Sequence, residues 1–357
     1  MTAQPGTASV TVSVPATSAN LGPGYDSLGL ALGLRDTVEV TALFGSRGAG
    51  VGNIAPAVTV VLDGEGAGSL PVDGSHLIIR SIRETFHELG APEPESLQLR
   101  CHNVIPHGRG LGSSSAAIVA GVVAARTLAG VPNDRDAVVA TAARIEGHPD
   151  NVAPCVLGGF TIAWTSDPGS SDTGSADTPK VLAGAIGLDV HPEIRAVVAV
   201  PTDAVLTQAA RGLIPDVVPH IDAAFNVARC ALLVDAMTRD PTRLVLATED
   251  RLHQRYRAAA MPTTAALVAA LRDDAHAAVV SGAGPSVLVL STAEVRERVA
   301  RAAPGWRVEG LPIDSAGATV ITHGGPLSGS ERSDVLSSVT HTDAVGGRFL
   351  RGNGSRE

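Results

Sequence analysis

Residues 108–115, GRGLGSSS, combine three glycines with three serines directly before an apolar run. Small residues let backbone N–H groups converge on an anion, and the apolar run predicts a helix whose positive N-terminal end faces the same point. A serine hydroxyl at such a helix start can also bind Mg²⁺. Two interpretations follow: a loop that holds phosphate, or a glycine turn followed by an ordinary serine helix cap.

A Walker-type nucleotide loop is excluded. The chain contains no G-x-x-x-x-G-K-[ST] sequence, and Lys180 is its only lysine. Its other permanently positive side chains are arginines. A mechanism that needs a lysine in this loop is therefore excluded as well.

A second polar cluster lies at 145–159, IEGHPDNVAPCVLGG. It brings four hydrogen-bonding side chains within six residues: Glu146, His148, Asp150 and Asn151. Glutamate is a hard oxygen ligand suited to Mg²⁺, and two prolines hold the segment out of regular helix. The alternative interpretation is a solvated loop between apolar segments.

Two further turns contain candidate residues. The first, PATSANLGPGYD at 15–26, places Asn20 and Asp26 beside a strand end as a potential amide–carboxylate pair. In the alternative interpretation these side chains satisfy backbone groups of the turn. The second, SGAGPS at 281–286, either lets another backbone segment approach closely or forms a simple hairpin turn.

Composition narrows the class of protein. A chain of 357 residues is long enough for about two domains, and its net charge of −9 argues against general nucleic-acid binding. Cys101, Cys155 and Cys230 lack the spacing of a disulfide framework or a zinc site. We see no signal peptide and no apolar run of about 20 residues, so we expect a soluble cytoplasmic protein without a membrane partner.

Helices and strands must position these segments. Periodicity predicts strands at 8–14, 36–42, 57–62, 96–106 and on both sides of 281–286. It predicts helices at 77–90, from the serines to about 130, at 134–146 and at about 215–238. A strand thus leads into the glycine loop and a helix leaves it. Strands and helices mix without a regular β–α rhythm, which favours an α+β fold over a doubly wound sheet.

Together the four segments resemble the GHMP kinase superfamily, which includes galactokinase, homoserine kinase, mevalonate kinase and phosphomevalonate kinase. Its three motifs correspond here to VPATSANLGPGYDSLGLAL, PHGRGLGSSSAA and SGAGPS. They occur in the family's order and span most of residues 8–320. This co-occurrence favours phosphate binding over the purely structural interpretation of each segment.

Within the superfamily the chain is most similar to the homoserine kinase family. PATSANLGPGYDSLGLAL and HPDNVAPCVLGGF resemble two characteristic segments of that family, and LTQAARGLIP and EDRLHQRYR resemble its amino-acid-binding stretches. The resemblance implies ATP-dependent, Mg²⁺-requiring phosphorylation of the L-homoserine side-chain hydroxyl, in threonine biosynthesis, by a homodimer. The alternatives are another GHMP small-molecule kinase and a non-catalytic ligand sensor.

The resemblance also implies the domain organisation. The N-terminal domain would be of the ribosomal-protein-S5 type with a left-handed βαβ unit, and the C-terminal domain would be ferredoxin-like. The expected parts are an ATP-binding domain at 1–165, a flexible loop at 166–182, a C-terminal domain at 183–323 and a disordered tail at 324–357.

Site residues follow from the same resemblance. ATP would lie against Pro106, His107, Gly108, Arg109, Gly110, Leu111, Gly112, Ser113, Ser114, Ser115 and Ala116. Ser114 and Glu146 would bind Mg²⁺; many relatives have two serines in this loop, so Ser113 and Ser115 remain alternatives. The substrate pocket would be lined by Asn20, Asp26, His148, Thr207, Arg211 and Arg257.

The chemistry of homoserine suggests individual roles. Arg211 and Arg257 would bind its carboxylate with bidentate geometry, Asp26 would accept from its ammonium group, and Asn20 would hold the hydroxyl or amine. Asn151 stands where some superfamily members have a catalytic aspartate, and an amide cannot take a proton. We therefore expect direct transfer without a general base.

Overall fold

The computed structural model describes residues 6–45, 57–166, 183–202 and 212–323, together with a strand at Ser333–Val335. Thr207, Arg211 and Lys180 lie outside these ranges. So do nearly all of the expected flexible loop at 166–182 and, apart from that strand, the expected tail at 324–357.

Two sets of elements build the described chain. The strands are β1 (Gly6–Ala19), β2 (Leu28–Phe44), β3 (Ala57–Gly64), β4 (Ser96–Asn103), β5 (Phe160–Thr165), β6 (Ala183–Leu188), β7 (Arg195–Val200), β8 (Ala277–Val280), β9 (Val287–Ser291), β10 (Arg307–Leu311), β11 (Thr319–His323) and β12 (Ser333–Val335). The α-helices are α1 (Leu77–Glu88), α2 (Ser113–Leu128), α3 (Arg135–Glu146), α4 (Val152–Leu157), α5 (His220–Thr238), α6 (Leu244–Ala247), α7 (Gln254–Arg257), α8 (Pro262–Asp273) and α9 (Arg296–Ala302).

The larger sheet has eight strands and supplies the start of the glycine loop. Its main order is β12-β11-β1-β2-β4-β3, and β5 pairs with β2 and with β6. β3 and β4 are parallel and joined through α1, whereas the other pairs are antiparallel. The smaller sheet, in the order β10-β7-β9-β8, is antiparallel throughout. This mixture confirms the predicted α+β fold.

Helix α2 lies in the core and fixes the position of the loop before it. Its sequence, SSSAAIVAGVVAARTL, is apolar on all sides from Ala116 to Ala125, as expected of a buried helix. A Cβ at Gly121 would lie 2.7 Å from the Cβ of Ser81 on α1, so the two helices are in close contact there. Close packing against α1 therefore fixes the position of α2.

Most predicted elements are confirmed, with two exceptions: Pro154, expected to keep 145–159 out of helix, lies within α4, and one helix begins later than predicted. The strands predicted at 8–14, 36–42 and 57–62 lie within β1, β2 and β3. The helix predicted from about 215 begins only at His220, with Pro219 as its N-cap, because proline starts a helix more readily than it continues one. None of the helices in the described ranges is long and apolar enough to cross a membrane.

Candidate active site

The glycine loop has the backbone of an anion-binding turn. Gly108, Gly110 and Gly112 adopt φ values of 66°, 70° and 70°, which L-residues rarely reach. Positive φ at every second residue turns successive N–H groups toward a common point, and such concave turns bind anions. The geometry agrees with the phosphate-binding interpretation of the sequence.

Helix α2 begins without a side-chain cap. Its N-cap is Gly112, not a serine, and no side chain accepts a hydrogen bond at that cap. The serine-cap interpretation is therefore wrong. A side chain at position 112 would place its Cβ 2.0 Å from Thr17 Oγ1, so the close approach of β1 explains the glycine. The uncapped N–H groups and the helix dipole are left to attract a negative charge.

Two of the three serines donate to one carboxylate. Ser114 Oγ donates to Glu146 Oε1 over 2.6 Å, and Ser115 Oγ donates to the same oxygen over 3.0 Å. Ser115 is buried, whereas Ser114 is exposed. Glu146 ends α3, and its side chain is 10% exposed. The end of α3 and the start of α2 thus form one oxygen-rich corner.

The cluster at 146–151 is not a solvated loop. His148 lies between two carboxylates, with Nδ1 2.6 Å from Asp150 Oδ1 and Nε2 3.9 Å from Glu146 Oε1. Asp150 is 1% exposed and also accepts from the backbone N–H of Asn151. Asn151 Oδ1 accepts from Thr17 Oγ1 over 2.9 Å. These bonds fix the segment beside Gly112.

Asp36 on β2 fixes the point where the loop begins. Its Oδ1 accepts from the backbone N–H groups of Val104 and Ile105, at 2.7 and 2.9 Å. These two residues immediately precede the loop at Pro106. Burial raises the pKa of Asp36, although the two backbone hydrogen bonds act in the opposite direction.

Two substitutions should distinguish the role of Asp36 as a hydrogen-bond acceptor from the role of its negative charge. Asp36→Ala would leave both N–H groups buried without this acceptor, at a cost of about 1–3 kcal/mol each in unfolding free energy, and should raise the KM for ATP. Asp36→Asn keeps an oxygen for both bonds and should stay close to wild type. Urea unfolding and ATP titrations check this, and equal losses in the two variants would contradict the acceptor role.

The late glycine turn contacts the loop. Ser281 Oγ donates to the carbonyl oxygen of Gly110 over 2.6 Å and lies 2.8 Å from Ser18 Oγ. The backbone N–H of Gly282 donates to the carbonyl oxygen of Ala19. The turn joins β8 to β9 as a hairpin, so both interpretations of the sequence hold: it is a hairpin, and another backbone segment approaches it closely.

Two of the predicted substrate residues, Asn20 and Arg257, meet at one carbonyl group. Asn20 Nδ2 and Arg257 Nη1 both donate to the carbonyl oxygen of Gly282, at 2.8 and 3.3 Å. Asn20 Oδ1 accepts from the backbone N–H of Asp26, so Asn20 satisfies backbone groups, as in the alternative interpretation of this turn. Arg257 is 1% exposed. His148 lies with Glu146, nearer to the serines.

Arg109 connects the loop to the smaller sheet. Its Nε donates to the carbonyl oxygen of Pro201 and its Nη2 to that of Thr202, at 3.0 and 2.6 Å. Both acceptors follow β7 directly. The residues that bring the loop and turns together, and that the sequence analysis did not name, are Thr17, Ser18, Asp36 and Ser281. Thr17, Ser18 and Ser281 lie within the N-terminal and late-turn motifs, whereas nothing in the sequence relates Asp36 to the loop.

The donor set suits a hard cation that also binds phosphate. In the part of the chain that is described, no three His, Cys, Asp or Glu side chains form a metal-binding group. Mg²⁺ does not require one, because it is commonly held by one or two carboxylates together with substrate phosphates and water. The hydroxyl and carboxylate oxygens of Ser114 and Glu146 fit that pattern.

Known proteins are similar to this chain over most of its length. Residues 76–159 match the family model "GHMP kinases N terminal domain", and residues 235–306 match "GHMP kinases C terminal". A homoserine kinase of Streptomyces coelicolor is 51% identical over 318 residues, which cover 88% of this chain and 95% of that protein. One from Clavibacter michiganensis is 48% identical over 319 residues, covering 87% and 93%.

Solved structures agree with the sequence comparison. The crystal structure of homoserine kinase from Cytophaga hutchinsonii superposes with a TM-score of 0.72 at 25% identity, covering 88% of this chain and 97% of that one. This chain, which contains the two sheets, the glycine loop and the late turn, is thus similar to its relatives in both length and sequence. The chain belongs to the GHMP kinases and, among them, to the homoserine kinase family.

Proposed function

We propose that this chain transfers the γ-phosphoryl group of ATP to the side-chain hydroxyl of L-homoserine, a step of threonine biosynthesis. One observation carries the proposal: the uncapped N-terminus of α2, Glu146 and the turn at 281–286 converge on the glycine loop. The 51% identity to a homoserine kinase supports the choice of substrate.

The loop from Pro106 to Ala116 would hold the phosphates of ATP through its N–H groups and the N-terminus of α2. Ser114 and Glu146 would hold Mg²⁺, which when bound neutralises charge on the phosphate oxygens. Ser114 is the better candidate because it is exposed, whereas Ser115 is buried against the same carboxylate. Ser115 then orients Glu146.

The turn at 20–26 and Arg257 would bind homoserine, with His148, Thr207 and Arg211 as further pocket residues. Arginine suits a carboxylate because its fork can donate two parallel hydrogen bonds. Arg257 is 1% exposed, so a carboxylate that binds it is removed from water. The hydrogen bonds between the two groups are stronger in such a buried site than in water. Asp26 would accept from the ammonium group.

Transfer then depends on position and charge rather than on a base. The substrate oxygen forms a bond to the γ-phosphorus as the bond to the ADP oxygen breaks, and the hydroxyl proton passes to the transferred phosphate. Asn151 carries an amide, held by Thr17, that cannot take this proton. Its role would be to place the hydroxyl beside the loop.

Assembly, location and domain limits are part of the proposal. A homodimer rests on the family resemblance, and a cytoplasmic location rests on composition. The proposed domains, at 1–165 and 183–323, each contain the range matched by one of the two family models.

Substrate analogues test the assignment. In a coupled ADP-release assay we expect homoserine to exceed 3-amino-1-propanol, which lacks the carboxylate, and 4-hydroxybutanoate, which lacks the amine, by at least about 100-fold in kcat/KM. Each analogue leaves a charged group of the site without its partner. Preference for mevalonate or galactose would instead indicate another GHMP kinase, and homoserine binding without ADP release would indicate a sensor.

A further inference from the structure

A buried histidine joins the turn at 20–26 to Arg257. His253 directly precedes α7, and its side chain is fully buried. The centroids of its ring and that of Tyr25 are 5.3 Å apart, and the guanidinium carbon of Arg257 lies 5.4 Å from the Tyr25 centroid. The three side chains pack together where the two segments meet.

The neighbours of the His253 ring define where its proton lies. Nε2 is 2.8 Å from the carbonyl oxygen of Gly22, which can only accept, so Nε2 carries a hydrogen. Nδ1 is 3.2 Å from Nη1 of Arg257, which can only donate, so Nδ1 offers its lone pair. The neutral Nε2–H tautomer satisfies both bonds at once.

The charges around His253 act in both directions. Burial lowers its pKa, and the positive charge of Arg257 lowers it as well. Asp250, whose Oδ2 lies 3.7 Å from Nε2, and Asp26 raise it, but the net shift is downward. The ring therefore stays neutral and keeps the acceptor that Arg257 uses.

Asp250 holds the backbone that carries the ring. Its Oδ1 accepts from the backbone N–H of Leu252 over 2.8 Å, and its Oδ2 accepts from those of His253 and Gln254, at 3.2 and 2.8 Å. Asn226 Nδ2 donates to Oδ1 over 3.0 Å. The ring thus stands on a fixed backbone, with a fixed carbonyl group on one side and Arg257 on the other.

We propose that His253 is a positioning residue for substrate binding: as the neutral Nε2–H tautomer, it orients the guanidinium of Arg257 relative to the turn that carries Asn20 and Asp26. The inference rests on the proposed substrate role of Arg257. Gly282 completes the arrangement, because its carbonyl oxygen accepts from both Arg257 and Asn20.

Two substitutions separate the two ring nitrogens. In His253→Asn the amide oxygen can stand near the former Nδ1 and still accept from Arg257. In His253→Gln the amide nitrogen can stand near the former Nε2 and still donate to Gly22, but the acceptor is lost. We expect His253→Gln to raise the homoserine KM about 10- to 100-fold while the ATP KM stays within about twofold.

His253→Asn should raise the homoserine KM clearly less than His253→Gln does. Equal increases in both variants, or no increase in either, would overturn the proposal. Circular dichroism and thermal unfolding establish that each variant is folded.

His276→Gln serves as a matched control, because His276 is also a buried histidine and its carboxylate neighbour is Asp274. An equal KM rise in this control would show a general effect of losing a buried histidine.

A double-mutant cycle distinguishes this inference from the function on which it rests. If His253 acts only through Arg257, then Arg257→Gln and the double variant should have the same homoserine KM within about twofold. A further rise in the double variant would overturn the positioning role. If Arg257→Gln alone left the homoserine KM unchanged, the proposed substrate role of Arg257 would be wrong. Turnover of homoserine by the wild-type enzyme tests the overall function separately.

Discussion

Glu146→Gln should lower kcat about 10²- to 10³-fold, because it removes the negative charge of the proposed Mg²⁺ ligand while keeping its shape. The amide oxygen of glutamine can still accept from Ser114 and Ser115, which both donate to the same carboxylate oxygen. The loss should therefore appear in kcat and in the Mg²⁺ concentration that gives half-maximal rate, and not in thermal stability. Steady-state rates over a range of free Mg²⁺ measure both.

Glu84→Gln is the matched control for this experiment. Glu84 lies on α1 and pairs with Arg144 of α3, the same helix that ends at Glu146, over 2.7 Å. The pair is partly exposed, so its loss should change the unfolding free energy by less than about 1 kcal/mol and leave kcat unchanged. An active Glu146→Gln enzyme with unaltered Mg²⁺ dependence would show that Glu146 is not a metal ligand.

Gly110→Ala should reduce kcat/KM at least about 100-fold, since a displacement of about 1 Å in a phosphate site has effects of that order. The added Cβ would lie 2.1 Å from the carbonyl oxygen of Ser281 and 2.8 Å from that of Gly284. Both are backbone atoms of the late turn, so the loop and the turn must move apart. Initial rates with ATP and homoserine measure the effect.

Gly130→Ala is the control, because it introduces the same backbone strain without a steric clash. Gly130 follows α2 with a φ of 69°, against 70° at Gly110, but a Cβ there meets nothing within 4 Å. The control should lose only the strain of a left-handed alanine, about 1–2 kcal/mol of unfolding free energy, and retain wild-type kcat/KM. If both variants lost activity equally, the contact between the loop and the turn would be irrelevant to catalysis.

The sequence by itself determined the local elements and the order of the motifs. Alternation in residues 8–14 and 57–62 predicted strands that are confirmed, because strand and helix periods repeat within a few residues. The glycines and serines of GRGLGSSS, followed by an apolar run, indicated a flexible turn and the start of a helix. Family resemblance then supplied the substrate, as the 51% identity to a homoserine kinase supports.

Tertiary structure decided which groups meet. Ser281 contacts Gly110, His253 contacts Gly22, and Asp36 holds the residue before Pro106. These partners are far apart in the chain, so their contacts depend on which elements pack together. Helix and strand periods repeat within a few residues and do not encode that packing. The close approach of β1 likewise explains the glycine at position 112, the N-cap of α2, and Ser114 and Ser115 donate to Glu146 instead of capping the helix. The phosphate loop is therefore recognisable from its residues alone. Which of its three serines contacts Glu146 depends on tertiary packing and is visible only in the structure.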